Sequence, residues 1–408
     1  MAQRDFLVVS AYFPPSGGPT AFLAKILVET IAASGHSIDV VAGSGINEPP
    51  NSQPLTDRWT QSTVAVHYYP RPAMARSTVG VKAYRRLVPE DPYCQCSNLQ
   101  PTLRYVLGAH RYKCIVSIAD PLLTHRIVMK AAAGSARRVY WFMDPVSYPG
   151  PDKSRWLAFR RRRCESIGKA CVERGDLCVA PTSEILENIS AGATVCSTLA
   201  VLPHFFSRND WPFPPKHTAE RNLVTILHAG ALYWKRRPDL LVGGFCLYRR
   251  NEPVPARLRM LGSCAPEIRE SLGGIAASDS ISLEPGVTNS EARLAMQSAD
   301  VLCIIDCDIE PNVHLPSKVA DYVGACKPIL YVGRRESPTC RLLRHLHPAF
   351  EEANTPEEVS AALTRLAEQS RRLPREAYGA VYGSLEATSV LAPLLKIVSA
   401  AKVTANSN

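Results

Sequence analysis

The chain has 408 residues, 46% hydrophobic and 21% charged, which fits about two α/β domains with real cores and excludes wholesale disorder. Lys and Arg outnumber Asp and Glu by 47 to 37, and the net charge of +10 points to an anionic partner: a phosphorylated ligand, an anionic lipid surface or nucleic acid. The 13 cysteines are scattered, Cys94-Gln95-Cys96 has no second close pair to complete a zinc ribbon, and no apolar run reaches the roughly 18 to 20 residues of a membrane-spanning helix.

The start, Met1-Ala2-Gln3-Arg4-Asp5, lacks a secretory pattern, so reduced thiols and a cytoplasmic location are expected. Residues 6–10 read as a buried strand, 21–33 as a helix with Phe22, Ile26, Leu27 and Ile31 at helical spacing, and 37–41 as the next strand. Gly35 stops the helix. This strand–helix–strand order predicts a parallel sheet with a right-handed crossover. Further strands are expected at 114–118, 139–142 and 177–180, with a helix over 122–132. Residues 44–110 are less regular, and 49–54 and 89–101 read as loops.

Pro203, Pro212, Pro214 and Pro215 crowd one short span and favour an extended linker. Beyond it the alternation restarts, with strands expected at 224–227, 258–261, 281–283, 301–305 and 329–332. The expected organisation is a first Rossmann-like domain over 1–203, a linker over 204–220, a second Rossmann-like domain over 221–380, and a C-terminal helix and tail over 381–408. Pro393 should kink or break that last helix, which could cross back to the first domain. Ligands of such sheets bind at the carboxyl ends of the strands.

Three stretches could carry chemistry. Gly17-Gly18 lies between a strand and a helix, where backbone can approach a ligand and helix N–H groups can face an anion. Its spacing is not G-x-G-x-x-G, and no acidic residue ends the second strand, which argues against a nicotinamide dinucleotide. The second stretch, His228-Ala229-Gly230-Ala231-Leu232-Tyr233-Trp234-Lys235-Arg236-Arg237-Pro238, places three cations just before a helix expected from Pro238, as a phosphate site would. In the third, Pro316-Ser317 reads as a helix start with Ser317 capping, and Lys318 and Asp321 share a face at i and i+3. Solvated turns and a surface salt bridge are the plain alternatives.

Asp306-Cys307-Asp308 matches D-x-D, a metal–diphosphate motif, but it follows a buried strand where arginines can neutralise phosphate, so no metal is expected. His36 and His125 read as structural. The basic run over 153–163, with Trp156, Phe159, Cys164 and Ile167 near one helical face, suits an anionic membrane surface or a solvated helix. Nucleic acid is not expected, because the run lacks interleaved aromatic and basic residues.

Several stretches together resemble GT-B glycosyltransferases, specifically glycosyltransferase family 4. Tyr12-Phe13-Pro14-Pro15 with Gly17-Gly18, and Ser34-Gly35-His36-Ser37-Ile38-Asp39-Val40-Val41, are similar to the family's opening loop and second strand. Tyr140-Trp141-Phe142-Met143-Asp144-Pro145, Arg174-Gly175-Asp176-Leu177 with Pro181-Thr182-Ser183-Glu184, and the stretches around Gly230 and Lys318 resemble its later motifs. The resemblance implies two Rossmann-like domains facing a cleft, with a nucleoside-diphosphate sugar bound by the second and a glycan or lipid-linked acceptor by the first. No cofactor is implied, and the anomeric configuration would be retained. It implies that Arg236 or Arg237 holds the diphosphate, Asp321 takes the place of a ribose-binding Glu, Asp144 lies near the transferred sugar, and Gly17 and Gly18 line the diphosphate and sugar. Val313 stands where the family often has the first carboxylate of an E-x7-E spacing, Cys326 replaces a usual Gly, and Glu310 is out of register. A non-catalytic GT-B-fold binding protein and a nucleotide-sugar epimerase are the alternative functions.

Overall fold

Buried apolar runs become parallel strands in both halves of the computed structural model, which describes residues 2–43, 63–70, 78–92, 94–131, 134–147, 154–213, 222–233, 235–236, 238–252, 254–272 and 280–404. The chain divides into two compact units, Met1–Pro203 with Val390–Asn408, and His204–Ser389.

The first unit holds β1 (Ala2–Ser10), β2 (Ile38–Gly43), β3 (Val64–Tyr69), β4 (His110–Ile118), β5 (Arg137–Trp141), β6 (Leu177–Ala180) and β7 (Thr198–Val201). They form one parallel sheet in the order β3-β2-β1-β4-β5-β6-β7. Val8 lies opposite Val40 on one side and Val116 on the other, so the middle of β1 is buried all round, as a central parallel strand must be. Helix Pro19–Ala33 starts behind Gly18, whose φ of +102° suits glycine, and buries Leu23, Ile26, Leu27 and Ile31. The one charged residue within β2, Asp39, is fully buried, and it accepts from Tyr112 Oη at 2.5 Å and faces Arg4 at 3.3 Å and His67 at 3.5 Å.

The second unit holds β8 (Val224–Ala229), β9 (Ala256–Leu261), β10 (Ile281–Glu284), β11 (Val301–Ile305), β12 (Ile329–Val332) and β13 (Phe350–Ala353). Their parallel order is β10-β9-β8-β11-β12-β13. Both sheets are therefore open, doubly wound and parallel, as the alternation predicts. In each, the order reverses beside the first strand, between β1 and β4 and between β8 and β11, and these are the switch points where ligands of such sheets bind.

Residues 204–213, expected as the start of a linker, pack into the second unit. Phe206 forms a parallel bridge with Glu386, Trp211 is 1% exposed, and Tyr382 Oη donates to the Trp211 carbonyl. Helix Ala387–Thr404 runs through Pro393 rather than ending there. No helix among the described residues is long and apolar enough to cross a membrane.

Candidate functional site

The switch point of the second sheet gathers polar groups that the sequence holds far apart. Strand β8 ends in His228 and Ala229 before Gly230, and β11 ends at Ile305 before Asp306. His228 is fully buried, with Nδ1 2.9 Å from the Cys303 carbonyl and Nε2 3.3 Å from Lys318 Nζ. A carbonyl only accepts, so Nδ1 carries the proton and Nε2 offers its lone pair to the lysine. Burial, and after it the Lys318 charge, holds the imidazole well below its usual pKa, so it is neutral.

Lys318 opens helix Lys318–Gly324, which Tyr322 locks to the strand ends. The Ala229 N–H donates to Tyr322 Oη at 2.8 Å, and that hydroxyl donates to the Cys303 carbonyl at 3.2 Å. Ser317 does precede the helix, but contrary to expectation its side chain makes no capping hydrogen bond. Gly230 has φ +148°, and a Cβ there would stand 2.2 Å from Lys318 Nζ. The space that the sequence assigns to an approaching ligand is thus filled by the lysine ammonium. Burial pushes the Lys318 pKa down to about 7, and the nearby Arg236 guanidinium pushes it the same way, against Asp306 and Cys307.

Arg236 is half-buried, sits 5.3 Å over the Tyr233 ring, and has a buried Nε with no hydrogen-bond partner among the described residues. Asp306 is the carboxylate nearest these cations in effect, yet it already accepts from the Cys307 N–H at 2.7 Å, Tyr331 Oη at 2.8 Å and Asn312 Nδ2 at 2.9 Å. Asp308 turns outward to Arg334 at 2.8 Å. The two carboxylates of D-x-D therefore serve different partners, and no group of three or more His, Cys, Asp or Glu among the described residues could hold a metal ion.

Gly230, Arg236 and Lys318 are thus brought together. Arg237 lies outside the described residues. Asp321 is on the same short helix as Lys318 but faces elsewhere: its Oδ1 accepts from Trp211 Nε1 at 3.1 Å. Burial raises its pKa to about 6, against the Trp211 hydrogen bond and the Arg293 charge. The surface salt bridge between Lys318 and Asp321, the plain alternative for this stretch, does not form, because each has another partner.

The remaining expected residues lie in the first unit, on loops following β1 and β5. Gly17 and Gly18 face open space, with no atom within 4 Å of a Cβ built on either. Asp144 is exposed just after buried Phe142 and Met143. Its charge, after burial and ahead of Asp91, raises the pKa of Asp120, although that residue keeps one side in solvent; Asp120 follows β4 with φ +115°. His125 is fully buried, bonded through Nδ1 to Ser117 Oγ at 2.7 Å and packed edge-on to Tyr140 and Phe142.

The basic run, of which Lys153 lies outside the described residues, enters helix Arg155–Arg174. Cys164 and Ile167 are buried there, and Arg163 joins Arg126 on the buried Glu90 carboxylate at 2.6 and 2.8 Å. Arg85 lies 5.7 Å over the Trp156 ring. Phe159, Arg155 and Arg162 stay exposed.

Neither His228 nor Tyr322 has a role assigned to it from the sequence alone. The signal for His228 is a polar residue next to last in a buried strand, two positions before Gly230.

No protein-family model matches the sequence, and no curated protein matches it. In fold, the chain is similar to HepE of Anabaena solved with UDP and glucose, at 11% identity and TM-score 0.63 over 98% of this chain and 100% of that one. It is similar to WaaG, a glycosyltransferase involved in lipopolysaccharide biosynthesis, at 13% identity and TM-score 0.59 over 99% and 100%. The N-terminal domain of Candida albicans trehalose-6-phosphate phosphatase matches at 11% identity and TM-score 0.65 over 97% of each chain. The chain accordingly has the GT-B glycosyltransferase fold, two Rossmann-like domains with parallel sheets of seven and six strands.

Proposed function

We propose that this GT-B chain transfers a sugar from a nucleoside-diphosphate sugar, bound by the second unit, to a glycan or lipid-linked acceptor bound by the first, in cell-surface polysaccharide or glycoconjugate synthesis. One observation carries the reading. Lys318 is held by an uncharged partner beside Arg236, at the switch point of the second sheet, and Asp306, the carboxylate that acts on both among the described residues, already has three donors. Two cations with so little internal compensation suit an anion such as a diphosphate. Neighbours in fold support the donor class, one being solved with UDP and glucose.

Lys318 and Arg236, joined by Arg237, would stabilise the charge that grows on the leaving diphosphate, the electrostatic effect that dominates many such reactions. These side chains supply that charge without a metal. Trp211 engages Oδ1 of Asp321, and we assign the other carboxylate oxygen to a ribose hydroxyl. Gly17 and Gly18 would line the transferred sugar, Asp144 would orient it or the acceptor hydroxyl, and retention follows from the family resemblance. Exposed Phe159, Arg155 and Arg162 support a peripheral seat on an anionic inner membrane face for a lipid-linked acceptor.

The test is thermal unfolding with UDP-, GDP-, ADP- and dTDP-sugars, with and without EDTA. A ligand at about 100 times its dissociation constant should stabilise the protein by about 2.7 kcal/mol. The expected result is stabilisation by one nucleotide class, unchanged by EDTA and lost in Lys318→Met and Arg236→Ala. Stabilisation by none, or retained in both variants, would sink the reading.

A further inference from the structure

His228 touches no solvent, so it cannot contact a ligand itself, yet its one free nitrogen points at the lysine assigned above to the diphosphate. We infer that His228 is a positioning residue: its neutral imidazole holds the Lys318 ammonium over Gly230 without pairing off its charge, which is left for the anion. This rests on the donor reading proposed above.

The alternatives at position 228 show why the chemistry fits. A carboxylate there would hold the ammonium as firmly but cancel its charge. An apolar side chain would leave it unanchored. A neutral acceptor does the first without the second, and it needs a fixed tautomer. The Cys303 carbonyl on β11 supplies that by accepting the Nδ1 proton. Lys318 is faced by His228 from β8, by Arg236 from the following loop, and by Asp306 and Cys307 from the loop after β11. Arg236 repels it, and Lys318 forms no ion pair among the described residues. An ammonium held half-buried beside another cation lowers its own proton affinity and gains no salt bridge in return, which a purely structural lysine has no reason to do.

Two variants separate positioning from folding. His228→Leu removes the acceptor. His228→Gln keeps one, because the Gln Oε1 reaches about as far as Nε2, and the Cys303 carbonyl still has the Tyr322 hydroxyl at 3.2 Å. Calorimetric affinities for UDP, GDP, ADP and dTDP are measured from pH 6 to 9, with thermal unfolding of each protein. The nucleotide that binds wild type should bind His228→Leu at least about tenfold more weakly. The loss of affinity as pH rises should also set in at a lower pH than in wild type, because an ammonium without its acceptor releases its proton sooner. His228→Gln should restore both affinity, to within about threefold, and the position of the pH limb. A His228→Leu protein with wild-type affinity and pH limb overturns the inference while leaving the donor reading intact. So does a His228→Gln protein as weak as His228→Leu. Binding of none of the four nucleotides by wild type overturns the donor reading, and this inference with it.

Discussion

Gly230→Ala probes the contact on which the site turns. The new Cβ would lie 2.2 Å from Lys318 Nζ and 2.9 Å from its Cε, and the backbone stands at φ +148°. Two costs follow, and they appear in different measurements. The backbone strain of a non-glycine residue there costs on the order of 1–3 kcal/mol of stability. The clash is with the far end of a flexible side chain, so it costs little stability and moves the ammonium instead. Two unit charges about 4 Å apart attract by about 4 kcal/mol at an effective dielectric of about 20. Pushing the ammonium about 2 Å farther from a bound phosphate removes about a third of that, roughly tenfold in affinity. The assay is a cycle of Gly230→Ala and Lys318→Met, read by urea unfolding and by calorimetry with the nucleotide that binds wild type. The stability cost should be similar in both backgrounds. The affinity loss should appear with Lys318 present and vanish in Lys318→Met, where nothing is left to displace. An equal affinity loss in both backgrounds would refute the reasoning, because the glycine would then act through the backbone.

Two further outcomes are expected. His125 in the first unit and His347 in the second are buried, and burial lowers each pKa from about 6.5 to about 3. Unfolded chain takes up these protons near pH 6.5 and folded chain does not, so stability falls as pH drops below that point. From pH 6.5 to 5.5 each histidine should remove about 1 kcal/mol from its own unit, and urea unfolding that is flat across this range would contradict the assignment. Trp211→Phe should cost about 1–3 kcal/mol by leaving the half-buried Asp321 carboxylate without its indole donor. Asp321→Asn added to it should recover part of that loss in denaturant titrations, and no recovery would mean the cost lies in packing alone.

The strands that the sequence revealed are largely the ones buried on both faces. Continuous apolar runs such as Val8-Val9 and Val301 to Ile305 are dictated by a parallel sheet covered on both sides. The three overlooked strands, β3, β7 and β13, are sheet edges. An edge needs no apolar run, and β13 spends Glu351 and Glu352 on Arg365 and Arg344. The site was legible in its parts but not in its contacts. Glycine and cations near strand ends named Gly230, Arg236 and Lys318, whereas the meeting of His228 with a lysine 90 residues away depends on two strands becoming neighbours. The surroundings of Asp306 were hidden for the same reason: D-x-D is a local pattern, whereas of the groups that occupy the carboxylate Tyr331 comes from the next strand and Asn312 from farther along the same loop.

The placement of Trp211 bears on where the second unit could be cut from the rest. Its indole lies against the helix that carries Lys318, and a Cβ at Gly324 would stand 2.7 Å from the ring. Its carbonyl is held by Tyr382, and the bridge from Phe206 to Glu386 ties the same stretch to the far end of the unit. A gene fragment started after the prolines would discard a wedge of the interior, not a tether. The portable piece begins at His204, and a graft of this unit onto another first domain should carry the tryptophan with it.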